Sequence, residues 1–116
     1  MAKPITKSME KEEDDNFVSL DHMIADLDNT GSNFSNVFSN TGLDMGILRI
    51  KVGEKDTQLP HSVDEAYFVV KGNGSIEING KIKPVKSNDF IFVPAEANHR
   101  FIVGNQDLVV IYFFPS

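Results

Sequence analysis

The 116-residue chain has no cysteine at all. That absence removes disulfides, thiolate metal sites and cysteine nucleophiles together, so any metal ion must be held by nitrogen and oxygen ligands. Long apolar runs are missing too, and none approaches the roughly 20 residues of a membrane-spanning helix. Lys3 and Lys7 are followed by no apolar block of the kind a signal peptide or anchor needs, so the expected address is cytoplasmic, with no membrane partner. Positive charge is also scarce. Eleven Lys and Arg stand against seventeen Asp and Glu, a net charge of −6, and the lysines are scattered. With no basic patch for a phosphate backbone, nucleic acid is not an expected partner. There is no phosphate-cradling glycine loop, no G-x-S-x-G elbow and no internal repeat, and Gly72-Asn73-Gly74 reads as a turn because no helix follows it.

What is present fits one domain with a single core, at an ordinary 41% hydrophobic content. The domain is expected over residues 17–116. Residues 1–16, which include EKEEDD, are expected to form a solvated, disordered acidic tail. In residues 19–27, SLDHMIADL, Leu20, Met23, Ile24 and Leu27 fall at helical spacing behind a serine able to cap the first turn, with His22 on the polar side. Residues 28–33, DNTGSN, favour turns and end that helix.

Beyond residue 33 the helical period gives way to short β-branched and aromatic runs, separated by Gly, Asn, Asp and Pro. Strands are expected near residues 34–39, 43–52, 65–70, 75–79, 82–85, 90–93, 99–103 and 108–114. Asn79-Gly80 suits a two-residue hairpin turn. No helices separate these strands, so the expected class is all-β, an antiparallel sandwich or barrel with a short N-terminal helix. AYFVV at 66–70 and LVVIYFF at 108–114 are apolar on both alternating faces. One face fills the interior and the other needs a cover, which a second subunit would provide, making a homodimer; the alternative cover is the N-terminal helix.

Two segments carry the chemistry. The first, residues 56–74, sets His61 and Glu65 just ahead of a strand; the second, residues 88–101, contributes His99. In a straight strand four residues span about 13 Å, too far for two side chains to share an ion, so Ser62-Val63-Asp64 must bend. Spacing alone leaves two readings open. One is a shared metal site; the other is a loop histidine, a strand-edge carboxylate and a core histidine without common purpose.

Seven positions resemble the two motifs of the cupin superfamily. Five residues separate Gly53 from Leu59, His61 follows at the second histidine position, and Glu65 and Gly72 complete the first motif. In the second motif Pro94 and His99 match, while Asn88, Glu96 and Val103 replace a glycine, a glycine and an asparagine. The resemblance runs from Leu43 to the C-terminus and implies a double-stranded β-helix, or jelly-roll, barrel. It also implies a divalent metal ion held by His61, Glu65 and His99. Leu59 occupies the position of the family's first metal-binding histidine, and the Gln58 amide is the neutral group placed to fill that gap. Two histidines and a carboxylate suit non-haem Fe(II) and serve Zn, Mn, Ni or Co equally.

Such a site leaves one positive charge uncompensated and would welcome an anionic oxygen ligand. Tyr67 and Val69 should share the interior face with Glu65, and Phe101 that with His99. Phe90 or Phe92 should add to the wall, and Tyr67 and Arg49 are the polar groups available, Tyr67 being the catalytic candidate and a surface position the favoured alternative for Arg49, whose strand faces are hard to tell apart. The implied function is a metal-dependent oxygenase or isomerase acting on a small oxygenated molecule. The alternative is a cupin module that binds or senses a small ligand without turnover.

Overall fold

Ser19 adopts an extended conformation and its hydroxyl accepts from the His22 amide at 3.1 Å, so the helix α1 (Leu20–Thr30) starts where the sequence offers a cap. It runs one turn further than the apolar spacing implied, because Gly31 takes a left-handed conformation and donates its amide to Leu27 O, closing the C-terminus. This computed structural model describes residues 16–39 and 42–116, so the expected acidic tail at 1–16 lies outside the described residues but for Asn16.

Eight strands follow: β1 (Phe34–Ser39), β2 (Asp44–Ile50), β3 (Glu65–Lys71), β4 (Asn73–Ile78), β5 (Lys81–Lys86), β6 (Phe90–Val93), β7 (His99–Val103) and β8 (Leu108–Phe114). Asn79 and Gly80 both have positive φ and join β4 to β5 through the two-residue turn their sequence favours. The strands form two antiparallel sheets, a five-stranded one in the order β1-β2-β8-β3-β6 and a three-stranded one in the order β5-β4-β7. This is the double-stranded β-helix architecture. Pro84 is tolerated because β5 is an edge strand.

The interior between the sheets is built from Tyr67, Val69, Ile76, Val93, Phe101, Leu108 and Val110, so Tyr67, Val69 and Phe101 face inward as their alternation with Glu65 and His99 requires. A second apolar cluster lies outside the larger sheet, where Met23 and Leu27 of α1 pack on Val37, Ile47, Val109 and Ile111. The doubly apolar β8 is thus covered on its outer face by the chain's own helix, the second of the two covers the sequence allowed.

One side-chain expectation needs correction. Neither Phe90 nor Phe92 joins the interior wall: they are 78% and 61% exposed. The register pairs Glu65 with Val93 and Tyr67 with Ile91, so Ile91 and Val93 occupy the inner face and the phenylalanines the outer. Arg49 lies outside the pocket, though its side chain is largely covered. It pairs across the ladder with Val109 of the outer cluster, and its guanidinium binds Asp28 of α1 at 2.8 Å, away from the interior where His99 is buried.

Candidate metal centre

Residues 51–64 form no strand; they turn and loop from the end of β2 to the start of β3. The bend at 62–63 brings His61 back over the first residue of β3, and His61 Nε2 lies 3.5 Å from Glu65 Oε1 despite the four-residue separation. Two backbone links hold this loop against the one before β7: Glu96 N donates to His61 O at 2.7 Å, and Ala95 N to Asp64 Oδ1 at 2.9 Å. His99, the first residue of β7, comes from the facing sheet and sets its Nε2 3.5 Å from the same Glu65 oxygen. One ligand atom from each of His61, Glu65 and His99 lies within 4.8 Å of the others.

The donor atoms fit a divalent ion. Ligands about 2.1 Å from a common metal stand roughly 3.0–3.4 Å apart, and the two pairs that include Glu65 Oε1 are each at 3.5 Å. Glu65 Oε1 and His61 Nε2 are buried and make no hydrogen bond, which is unfavourable for a carboxylate and an imidazole unless something else satisfies them. His99 is prepared in a further respect: its Nδ1 faces Ala97 O at 3.0 Å, and because a carbonyl only accepts, that nitrogen carries the hydrogen and Nε2 keeps its lone pair for the centre. The Glu65 carboxylate, facing His99 Nε2 at 3.5 Å, is the largest influence on the imidazole pKa and raises it; burial opposes the shift and the Ala97 carbonyl adds to it.

Gln58 reaches this centre although strict alternation would have turned it away, because no strand runs through residues 51–64 and alternation does not apply there. Its Nε2 donates to Asp56 Oδ2 at 2.8 Å, and since a carboxylate only accepts, the amide oxygen is turned the other way, to accept from the Tyr67 hydroxyl at 3.0 Å. Asp56 also accepts from the amides of Gln58 and Phe101, tying the loop to β7. Leu59, at the position of the resemblance's missing histidine, points into solvent and is 76% exposed.

Tyr67 is buried, packs edge-on against Phe101 at 4.9 Å, and holds its hydroxyl between Gln58 Oε1 and His99 Nε2, the latter at 3.2 Å. Burial, reinforced by the charge of Glu65, pushes its phenol well above the usual range, so it stays protonated and donates.

Beside the centre opens a cavity of about 250 Å³, lined by Phe34, Asn36, Leu48, Gln58, His61, Glu65, Tyr112 and Phe114. Sequence reading missed five of these, Phe34, Asn36, Leu48, Tyr112 and Phe114. Their one visible signal is the alternation of β1, β2 and β8, since Asn36, Gly46 and Tyr112 share one cross-strand row on the inner face. Gly46 is essential to that row. A Cβ there would lie 2.3 Å from the Tyr112 hydroxyl and 2.4 Å from Ser35 O; its absence lets the Tyr112 ring lie across β2 and donate to Asn36 Oδ1.

A family model described as "Cupin domain" matches residues 46–114. An uncharacterised protein of Streptomyces coelicolor is 33% identical over 72 residues, 62% of this chain and 69% of that protein. A 5-nitrosalicylic acid 1,2-dioxygenase of Bradyrhizobium is 31% identical over 70 residues, which cover 60% of this chain but only 34% of the dioxygenase. Among solved structures, an RmlC-like cupin from Shewanella frigidimarina superposes with a TM-score of 0.65 at 21% identity, over 71% of this chain and 73% of its own. At that identity the likeness concerns the fold.

Proposed function

The chain belongs to the cupin family, matched over residues 46–114, and from that premise we propose that it is a metal-dependent enzyme of oxygenase or isomerase type acting on a small oxygenated molecule. One observation carries the reading: two imidazole nitrogens and a carboxylate oxygen, two of these three atoms buried without a hydrogen bond, converge beside an apolar cavity. His61, Glu65 and His99 would hold the ion, with Gln58 Oε1 the fourth protein donor within reach. A divalent ion there supplies a Lewis-acid centre with one uncompensated positive charge, open to an anionic oxygen of a substrate. Tyr67, kept protonated, donates a hydrogen bond to oxygen on that face and does not serve as a base. The dioxygenase relative, whose name gives 5-nitrosalicylic acid as its substrate, supports the oxygenase branch.

Binding without turnover is the second reading, favoured by the position of Arg49 against Asp28 of α1, which leaves Tyr67 alone of those two polar groups beside the centre. Elemental analysis and an oxygen electrode separate the possibilities. Purified wild-type protein should retain about one divalent ion per chain and the His61→Ala/His99→Ala variant essentially none. Equal metal in the two ends the metal reading. Metal without oxygen uptake on 5-nitrosalicylate or related 2-hydroxy acids, and without isomerisation of them, moves the protein to the binding class.

A further inference from the structure

The cavity is walled on one side by three rings in a nearly parallel column. Phe114 stacks on His61 with centroids 6.0 Å apart and planes 18° apart, and on Tyr112 at 5.7 Å and 15°. One end of this column is a proposed metal ligand; the other is the Tyr112–Asn36 pair. A flat guest lying along such a column gains offset-stacking contact with successive rings, which a puckered or branched aliphatic guest of similar size does not. A 150 Å³ cavity holds one benzene ring, so about 250 Å³ accommodates one ring with its substituents.

Charge narrows the guest further. Among the described residues no Lys or Arg lines the cavity, and its formal charges come from Glu65 and whatever ion the centre holds. A guest's negative charge can therefore be met only at the centre, which has room for one. At the opposite end Tyr112 donates to Asn36 Oδ1, leaving the amide nitrogen as the donor available to a guest.

Resting on the metal reading above, we propose that this site selects a monocyclic planar ring carrying two adjacent oxygen donors with one negative charge between them. The oxygens chelate the ion, and the ring lies along the His61–Phe114–Tyr112 column. The Asn36 amide nitrogen, its side chain oriented by Tyr112, reads an acceptor substituent on the ring's far edge.

Two monoanionic chelators with the same head group test this on the zinc-loaded protein. Benzohydroxamate carries a ring and acetohydroxamate a methyl group in its place. In isothermal titration calorimetry benzohydroxamate should bind at least about tenfold more tightly, from burial and stacking of the ring. Phe114→Leu, which keeps apolar bulk but removes the plane, should narrow that preference to about threefold or less. Circular dichroism and zinc content report whether this variant is intact, and Phe34→Ala, at a half-exposed rim position, gives a second variant expected to narrow the preference. Equal affinity for the two chelators, or no binding of either by protein that keeps its zinc, overturns the inference and leaves the metal reading standing. Loss of zinc on desalting, with neither chelator bound, overturns both.

Discussion

His99 Nε2 and Glu65 Oε1 can share a proton or a metal ion, and the two occupants have opposite pH dependence. In metal-free protein the His99 pKa is raised, chiefly by the Glu65 carboxylate that faces it. A group raised in the folded state stabilises the fold below its unfolded value, about 6.5 for histidine, and loses that contribution as pH climbs through the folded value. The thermal midpoint of EDTA-treated protein should therefore fall as pH rises from about 6 to 8.5, and His99→Gln should lack that component. With metal bound the order reverses, because the ion needs Nε2 deprotonated and is lost on acidification. A midpoint that climbs across the same window in metal-free protein contradicts this electrostatic account. His61, Glu65 and His99 were legible in the sequence because residue type and motif position mark them. Asp56 was not: it touches no reacting group, and its role of orienting the Gln58 amide exists only once residues 56–58 fold back on themselves.

Among the elements, period-2 patterning located the eight strands well, because most of them end at Gly, Asn or Pro. It failed on facing wherever both faces are apolar: FIFV in β6 gives no alternation to read, and the ladder to β3 sends Phe90 and Phe92 outward. The substituted glycine positions of the second motif turn out to be conformational. Asn88 and Glu96 both have positive φ, 76° and 67°, as a glycine would allow. Asparagine tolerates that region; glutamate does so at a penalty of about 1 kcal/mol. Glu96 is exposed and uses its backbone amide, not its side chain, to hold His61 O. Glu96→Gly should then stabilise the protein by roughly 0.5–1 kcal/mol in urea unfolding with metal content unchanged, the relief of strain being partly offset by unfolded-state entropy. Glu96→Ala should give no gain, and a stabilisation equal to that of glycine would mean the backbone conformation is not the cause.

At the scale of the whole molecule, the outer face of the five-stranded sheet is divided. Helix α1 covers the part formed by β1, β2 and β8, while the part formed by β3 and β6 carries Phe68 and Phe90 in ring contact at 4.7 Å with Phe92 beside them, Phe90 and Phe92 mostly in solvent. Two phenylalanines exposed to this degree contribute on the order of 250 Å² of apolar surface, enough for the centre of an interface though not all of one. β6 also ends the sheet, so its outer backbone edge is not paired by another strand among the described residues. A second copy related by a two-fold axis presents the same rings and the same edge, so one self-complementary contact satisfies both. Light scattering at tens of micromolar should accordingly give twice the chain mass. Phe90→Glu/Phe92→Glu should give the single-chain mass with unchanged circular dichroism, since neither ring belongs to the core. Wild-type protein at single-chain mass would exclude the homodimer and leave α1 as the only cover this sheet possesses among the described residues.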